Sequence, residues 1–372
     1  NLGAELVMDP RQTSFYRAMK IAVGVLLILD DKKEHSGPAT PFSRIWCAFE
    51  ESIALTDRED RAEAMKLDMA ASHGKVAQLI TDGLTRHDLR FGEAAAQFYK
   101  YERQKTFPIE IIEKGLALRL QDAEATEADD RKHILNSIAG RDLDAEILER
   151  HENYTLVNQS LRSLFAVTAW RIAQEKNLVR QWRLPRILSA DSQRTSLSLN
   201  LRNCRRFGNR DLEDVVNGFP PRLINLYVNF TNCLCISDQG VLKFASHLPR
   251  TLKTLKVVLS GCSSISDDSV AAIAAHMPSD LEELQMSFRF CKRITDKGVS
   301  RLISVIPSSV RTLDLDFRTT TSTRGRLKSL TDLLPCAEKA AAALVFSPEK
   351  RNMKSSSVRI PQDPQRLSPR SS

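Results

Sequence analysis

Residues 255–283 read LKVVLSGCSSISDDSVAAIAAHMPSDLEE, and this stretch decides the fold of the second half of the chain. Leu255, Val257 and Leu259 alternate with other residues, and this period of two is typical of a short strand with one buried face. The apolar residues that follow are spaced as in a helix until Pro278, which cannot continue one. The stretch therefore predicts one strand followed by one helix.

The same unit recurs along the chain in steps of 29 residues. The recurring positions are the cysteines Cys204, Cys233, Cys262 and Cys291, the leucines Leu197, Leu226, Leu255, Leu284 and Leu313, and the prolines Pro220, Pro249, Pro278 and Pro307. A fixed period of this length predicts stacked units, in which each strand–helix pair covers the apolar face of the next. In the quoted unit, Ser266 or Asp267 is the predicted N-cap of the helix.

These units resemble the cysteine-containing type of leucine-rich repeat, which has the consensus motif L-x-L-x-L…C-x-x-I-[ST]-D-x-G. Their length of 29 residues is nearer to that of the ribonuclease-inhibitor type. The resemblance implies an α/β solenoid of about five units within residues 191–346, including a cap at its end. The strands of such a solenoid form a concave surface that binds partners.

The outward positions of the predicted strands are mixed polar residues with one aromatic, which suits a protein or peptide partner. The candidate binding residues are Tyr227, Asn229, Lys256, Gln285, Arg289 and Arg318. The aromatic and the cations are the expected anchors, because a few residues of these types dominate most interfaces.

The repeat cysteines are predicted to be buried structural thiols. One cysteine per unit places the thiols in a line, whereas a zinc site needs several thiolates converging on one point. The lone C-x-C at Cys233 and Cys235 does not by itself predict a metal. No secretory signal is visible, so reduced thiols and a cytoplasmic location are expected.

The first part of the chain alternates strands and helices, which is typical of an α/β sheet. Leu2–Met8 and Gly24–Leu29 are the predicted strands, with a helix at Phe15–Ala22 between them. The second strand is apolar throughout and is therefore expected to be buried on both faces of a parallel sheet. The loop Asp30–Pro41 follows its carboxyl end, where such sheets bind ligands.

The stretch FSRIWCAFEE at residues 42–51 carries a second resemblance. Strand, loop and S-R-x-W-C-x-x-E together are similar to the Toll/interleukin-1 receptor (TIR) domain, which implies a flavodoxin-like parallel sheet over residues 1–140, incomplete at its N-terminal end. In members that hydrolyse NAD, the glutamate of this motif acts on the nicotinamide ribose, so Glu50 is the candidate catalytic residue. The residues alone also allow Trp46 and Phe49 to dock a helix on the sheet, with Glu50 capping it or pairing with Arg44.

The remaining pattern completes the predicted organisation, in which residues 141–190 are a helical connector and 347–372 a disordered basic tail. Residues 65–72 and Leu116–Leu120 are predicted strands, and the predicted helices are Val76–Gly83, 86–106, Ile109–Lys114, Asp130–Ile138 ending at Gly140, much of 143–185, and Ala337–Phe346.

The charge distribution argues against nucleic acid as a partner. The 372-residue chain carries a net charge of +8, of which residues 1–190 contribute −2, 191–336 contribute +6 and 337–372 contribute +4. The arginines at 202–210 are followed at once by acids, unlike a dense basic face with interleaved aromatics. The longest apolar run has nine residues and is too short to span a bilayer.

The sequence therefore favours an intracellular signalling scaffold that binds a protein through the repeats, with self-association of the α/β domain as a further expectation. A NAD hydrolase regulated by the repeats is one alternative, and NAD would be needed only in that case. A substrate adaptor of a ubiquitin ligase is the other, although no F-box pattern is visible in residues 1–190. The sequence contains no H-E-x-x-H, P-loop or G-x-S-x-G motif.

Overall fold

The computed structural model describes residues 9–30, 38–56, 65–73, 76–80 and 84–328. Within them the chain is a mixed α/β structure with two sheets, neither of which closes into a barrel. The strands are β1 Gly24–Leu29, β2 Lys66–His73, β3 Val76–Ile80, β4 Ser196–Asn200, β5 Asn225–Asn229, β6 Thr254–Val258, β7 Glu283–Ser287, β8 Thr312–Asp316 and β9 Arg326–Leu327.

Twelve α-helices connect these strands in the described ranges. They are α1 Ser14–Ile21, α2 Ile45–Thr56, α3 Arg86–Leu89, α4 Glu93–Gln104, α5 Ile109–Ala117, α6 Ala128–Ala139, α7 Glu152–Glu175, α8 Leu184–Ala190, α9 Asn209–Asn217, α10 Asp238–Ser246, α11 Asp267–Ala275 and α12 Asp296–Ile303.

The chain divides into two units at Leu330, and the described residues all lie in the first, Asn1–Leu330. The second unit lies outside the described residues, as do the predicted strand Leu2–Met8, the predicted helix Ala337–Phe346 and the predicted tail 347–372. The predicted boundaries at residues 140 and 190 fall inside the first unit and stay predictions.

The smaller sheet has the order β1-β2-β3. Strands β1 and β2 are parallel, with Leu27 opposite Met69, but β3 runs antiparallel to β2. The predicted strand at residues 65–72 is confirmed, whereas the predicted helix at Val76–Gly83 is wrong where the structure describes it. The physical reason is that the chain reverses after His73 and β3 pairs its backbone with β2, which a short apolar period does not reveal.

Strand β1 is buried on one face only, so the prediction of burial on both faces is wrong. Leu27 and Leu29 are buried, whereas the side chains of Leu26 and Ile28 are 57% and 68% exposed. Helix α2 contacts β1 and β2 and covers one side of this sheet. In this strand, an uninterrupted run of apolar residues therefore does not mean that both faces of the sheet are covered.

The helical region differs from its prediction at the end of α5. Helix α5 continues to Ala117, so the predicted strand Leu116–Leu120 is wrong, because Leu116 lies one helical turn beyond Ile112 and extends the buried face. The helix before Gly140 is confirmed, and this glycine ends it in the left-handed conformation with φ 66°. The predicted helical stretch 143–185 contains α7 and the first residues of α8.

The larger sheet has the order β4-β5-β6-β7-β8-β9, and its first five strands are parallel. Each of the first four strands pairs with the residues 29 positions later, so the five repeat leucines lie side by side, as predicted. All five are buried. Strand β9 was not predicted; it pairs antiparallel to β8 at the end of the sheet.

Successive units are joined by hydrogen bonds from one helix to the start of the next. Asp267 is the first residue of α11, and its carboxylate accepts from Thr295 N at 2.7 Å and from Thr295 Oγ1 at 2.6 Å. Asp238 accepts in the same way from Ser266 N and Oγ at 2.7 and 2.8 Å. Ser266 is thus the N-cap of α11, while Asp267 links its unit to the next.

The same contact explains why the last residue of the D-x-G motif is small. A Cβ atom at Gly298 would overlap the carboxylate of Asp267, and one at Gly240 would overlap the amide of Asn209. At the equivalent position between them, Ser269 donates a hydrogen bond to Asp238 at 2.5 Å. The glycines are therefore needed for the close approach of units rather than for a turn.

The inter-unit hydrogen bonds generate a stability prediction. Asp267→Ala should lower the free energy of unfolding by about 1.5–3 kcal/mol, because it removes hydrogen bonds to a charged acceptor. Asp268→Ala is the matched control, since Asp268 is exposed in the same helical turn and its loss should cost less than about 1 kcal/mol. Urea denaturation measures both, and equal losses would contradict the role given to Asp267.

Candidate functional site

The outward side chains of the larger sheet line a concave cleft of about 1080 Å³. At one end, Leu84, Leu89 and Gln97 from the region of α3 and α4 form part of its wall. All six predicted binding residues line this cleft, namely Tyr227, Asn229, Lys256, Gln285, Arg289 and Arg318. The structure therefore brings together the residues that the repeat pattern selected.

All of these six residues except Gln285 already have partners inside the chain. Lys256 Nζ lies 2.7 Å from Glu283 Oε1, and Arg318 donates two hydrogen bonds to Asp316 at 2.9 and 2.7 Å. Asn229 accepts from Thr231 N at 3.0 Å. Because exposed ion pairs contribute no more than about 1 kcal/mol each, an incoming partner can compete for these groups.

The far end of the cleft carries a charged cluster that the repeat pattern missed in part. Arg326, on the unpredicted strand β9, binds Asp314 with two hydrogen bonds of 2.8 and 2.5 Å. Arg289 Nε lies 4.0 Å from Asp316 Oδ2 and has no hydrogen-bond partner among the described residues. Burial acts to raise the pKa of Asp316, but hydrogen bonds from Arg318 hold it below its ordinary value.

Phe290, which follows the cleft-lining Arg289 in the chain, is unusual in both conformation and exposure. Its φ is +64° and its side chain is 54% exposed. The equivalent positions Asn203, Asn232, Gly261 and Thr319 share this left-handed conformation, which asparagine and glycine adopt far more readily than a bulky or β-branched residue does. Comparing the units position by position would have singled out Phe290 from the sequence.

The repeat cysteines are buried, as predicted. Three thiols donate at 3.2 Å to the carbonyl oxygen 32 residues earlier, namely Cys233 to Leu201, Cys262 to Phe230 and Cys291 to Leu259. Burial raises the pKa of Cys262 to about 12 and that of Cys291 to about 11. Such thiols are poor metal ligands and nucleophiles, and the described residues contain no cluster suited to a metal ion.

Helix α2 carries the candidate catalytic glutamate. Trp46 Nε1 donates to Asp130 Oδ2 at 3.0 Å, and Phe49 is fully buried, so both aromatic side chains dock the helix. Glu50 is half-buried; burial raises its pKa, while Arg44 acts in the opposite direction. Glu50 does not line the concave cleft, so the two candidate sites are separate.

The neighbouring carboxyl group of Glu51 is more deeply buried. Its side chain is 1% exposed, and its Oε1 has no hydrogen-bond partner within the described part of the chain. Burial, and then the charge of Glu50, hold the pKa of Glu51 well above its ordinary value. The sequence analysis did not single out Glu51.

No protein-family model matches this sequence, and no curated protein is significantly similar to it. None of the helices in the described ranges has both the length and the apolar character needed to cross a bilayer. The function is therefore argued from the geometry of the sites.

The buried carboxyl group predicts a pH dependence of stability. The pKa of Glu51 is higher in the folded than in the unfolded state, so stability falls as pH rises above the ordinary value of 4.5. Glu51→Gln should flatten this decline and raise the free energy of unfolding at neutral pH by about 1–3 kcal/mol, the usual penalty of an unsatisfied buried group.

Denaturation curves of wild type and Glu51→Gln across the acid-to-neutral range measure this effect. Glu50→Gln is the control, because that carboxyl group is only half-buried and should change the pH dependence less. An unchanged pH slope in Glu51→Gln would contradict the prediction.

Proposed function

We propose that this chain is an intracellular interaction protein of the leucine-rich repeat kind, a signalling scaffold whose concave cleft binds an extended segment of a partner protein. The observation that carries the proposal is the gathering of partly exposed polar side chains in one cleft, with the strained, exposed Phe290 directly after the cleft-lining Arg289 in the chain. A conformation that disfavours folding persists where another requirement selects the residue, and such outliers cluster at functional sites. Binding is the requirement proposed here.

The cleft also indicates what kind of segment fits. Five parallel strands at about 4.8 Å spacing span about 19 Å, the length of roughly six extended residues. Leu84 and Leu89 offer an apolar wall at one end of the cleft, whereas Arg289, nearer the other end, makes only a loose 4.0 Å ion pair with Asp316, and its Nε has no hydrogen-bond partner among the described residues. A segment with an apolar residue at one end and a carboxylate at the other would satisfy both features.

A substitution at Phe290 should change the stability of the fold and the affinity for the partner in opposite directions. Phe290→Asn introduces the residue found at the equivalent Asn232, so it should raise the free energy of unfolding by about 1 kcal/mol, because a left-handed conformation is less costly for asparagine. The same change should weaken partner binding at least about tenfold, because exposed aromatic anchors dominate interfaces. A variant that is more stable and binds as well as wild type would contradict the role of Phe290.

Site-specific photo-crosslinking tests the binding surface itself. A photoreactive amino acid at Gln285, in the cleft, should capture the partner in cells, whereas the same amino acid at the exposed Arg301 on helix α12 should not. Adding Arg289→Gln or Phe290→Asn should reduce the captured amount in proportion to the loss of affinity. Equal capture from Gln285 and Arg301, or capture that neither substitution changes, would overturn the proposal.

A NAD-cleaving activity is the second candidate, and the raised pKa of the half-buried Glu50 is the observation that favours it. Perturbed carboxyl groups are common at catalytic sites, and a carboxylate there would stabilise an oxocarbenium-like transition state at the ribose. The exposed Leu26 and Ile28 of β1 would suit the self-association that this activity is expected to need.

A nicotinamide-release assay over a range of protein concentrations decides this candidate. Wild type should release nicotinamide, Glu50→Gln should lose at least about a hundredfold in rate, and Glu102→Gln, a change at a surface ion pair, should behave as wild type. Equal turnover by wild type and Glu50→Gln, or none by either, removes the candidate.

A further inference from the structure

A second large cavity, of about 840 Å³, lies among helices α5, α7 and α8, away from the concave cleft. Its wall contains one acidic residue, Glu113, and five basic ones, so the net charge of the lining is +4. The five basic residues are Arg119, Arg150, Arg162, Arg183 and Arg186. The two cavities have no lining residue in common.

Most of this positive charge is not neutralised within the described part of the chain. Glu113 Oε1 accepts a hydrogen bond from Trp182 Nε1 at 3.1 Å rather than from an arginine. Arg119 Nε lies 3.5 Å from Asp122, but Arg150, Arg183 and Arg186 have no side-chain hydrogen bond or ion pair there, and all three are exposed.

One arginine of the set is partly buried. Arg162 Nε donates to Leu118 O at 2.6 Å, which fixes the side chain against α5. Burial, and then the charge of Arg119, lower the pKa of Arg162, so the neighbouring cations act against its charged form. Like charges facing one cavity repel each other, and a bound anion would replace that repulsion by attraction.

The rest of the lining limits the size and character of such an anion. Leu116, Trp182 and Ile187 supply apolar surface, and the volume lies in the usual range for small-molecule sites. Arginine forks pair with phosphate oxygens through two parallel hydrogen bonds, and several arginines suit several phosphate groups.

We propose that the arginine-rich cavity among α5, α7 and α8 is a binding site for a small molecule that carries several phosphate groups. The phosphates lie among Arg119, Arg150, Arg162, Arg183 and Arg186, and the apolar surface at Trp182 receives the remainder of the ligand. The site is independent of partner binding in the concave cleft, since it shares none of its residues.

Calorimetric titration of the full chain with tripolyphosphate tests the site. Wild type should bind, and the affinity should fall as salt is raised toward about 0.15 M, where surface charges are screened beyond about 8 Å. The double variant Arg150→Gln/Arg186→Gln should bind at least about tenfold more weakly, because each loss removes charge-assisted hydrogen bonds to phosphate. ATP should compete with tripolyphosphate for the same site.

The matched control is Arg222→Gln/Arg301→Gln, which removes the same charge from two exposed positions outside the cavity. Its affinity should stay within about threefold of wild type, since distant exposed charges act weakly through salt. Without ligand, the cavity variant should melt no lower than wild type, because it loses like-charge repulsion. Absence of binding by wild type, equal losses in both double variants, or ATP binding alongside tripolyphosphate would overturn the proposal.

Discussion

The interaction on which the second half of the structure depends is made by the first side chain of each repeat helix, which is the amide of Asn209 in α9 and a carboxylate in α10, α11 and α12. Asp238 and Asp267 each bind the backbone N–H and the hydroxyl of the residue that caps the following helix. Burial acts to raise the pKa of Asp238, but hydrogen bonds from Ser269 and Ser266 keep it below its ordinary value. The carboxylate therefore stays charged and holds one unit against the next, while the leucines of the parallel strands exclude water between them.

Because these hydrogen bonds recur from unit to unit, a residue that differs from the repeat pattern is informative about the structure. A unit is positioned by its aspartate, its buried leucine and its buried cysteine, so the outward positions and the strand-end turns are free to vary. Phe290 uses that freedom at a backbone position where the neighbouring units have Gly261 and Thr319. The stack therefore supplies a frame on which exposed residues can vary without disturbing the packing between units.

The parts of the structure that were predicted from the sequence are those that a local pattern determines. The 29-residue register of β4–β8 was predictable because burial repeats at every step. The strand β3 and the end of α5 were not, because pairing with β2 and packing of Leu116 depend on distant parts of the chain. These long-range contacts outweigh a weak local period.

Of the candidate sites, the concave residues were predictable because strand alternation decides which side chains face outward. The arginine-rich cavity was not predictable. Residues 1–190 have a small negative net charge, although residues 151–190 alone carry six basic and two acidic side chains. Helix packing brings those arginines together with Arg119 and Arg150 from earlier segments. A net charge summed over a long segment therefore does not reveal a local cluster of arginines.

The reversed direction of strand β9 has a consequence for how this architecture can change in evolution. A further unit placed beyond β9 would meet an antiparallel neighbour and would find no matching ladder of parallel hydrogen bonds. Lengthening by duplication is therefore expected inside the array, between existing units, where both new junctions reproduce old ones. The antiparallel strand thus makes internal duplication the natural route by which this sheet would gain strands.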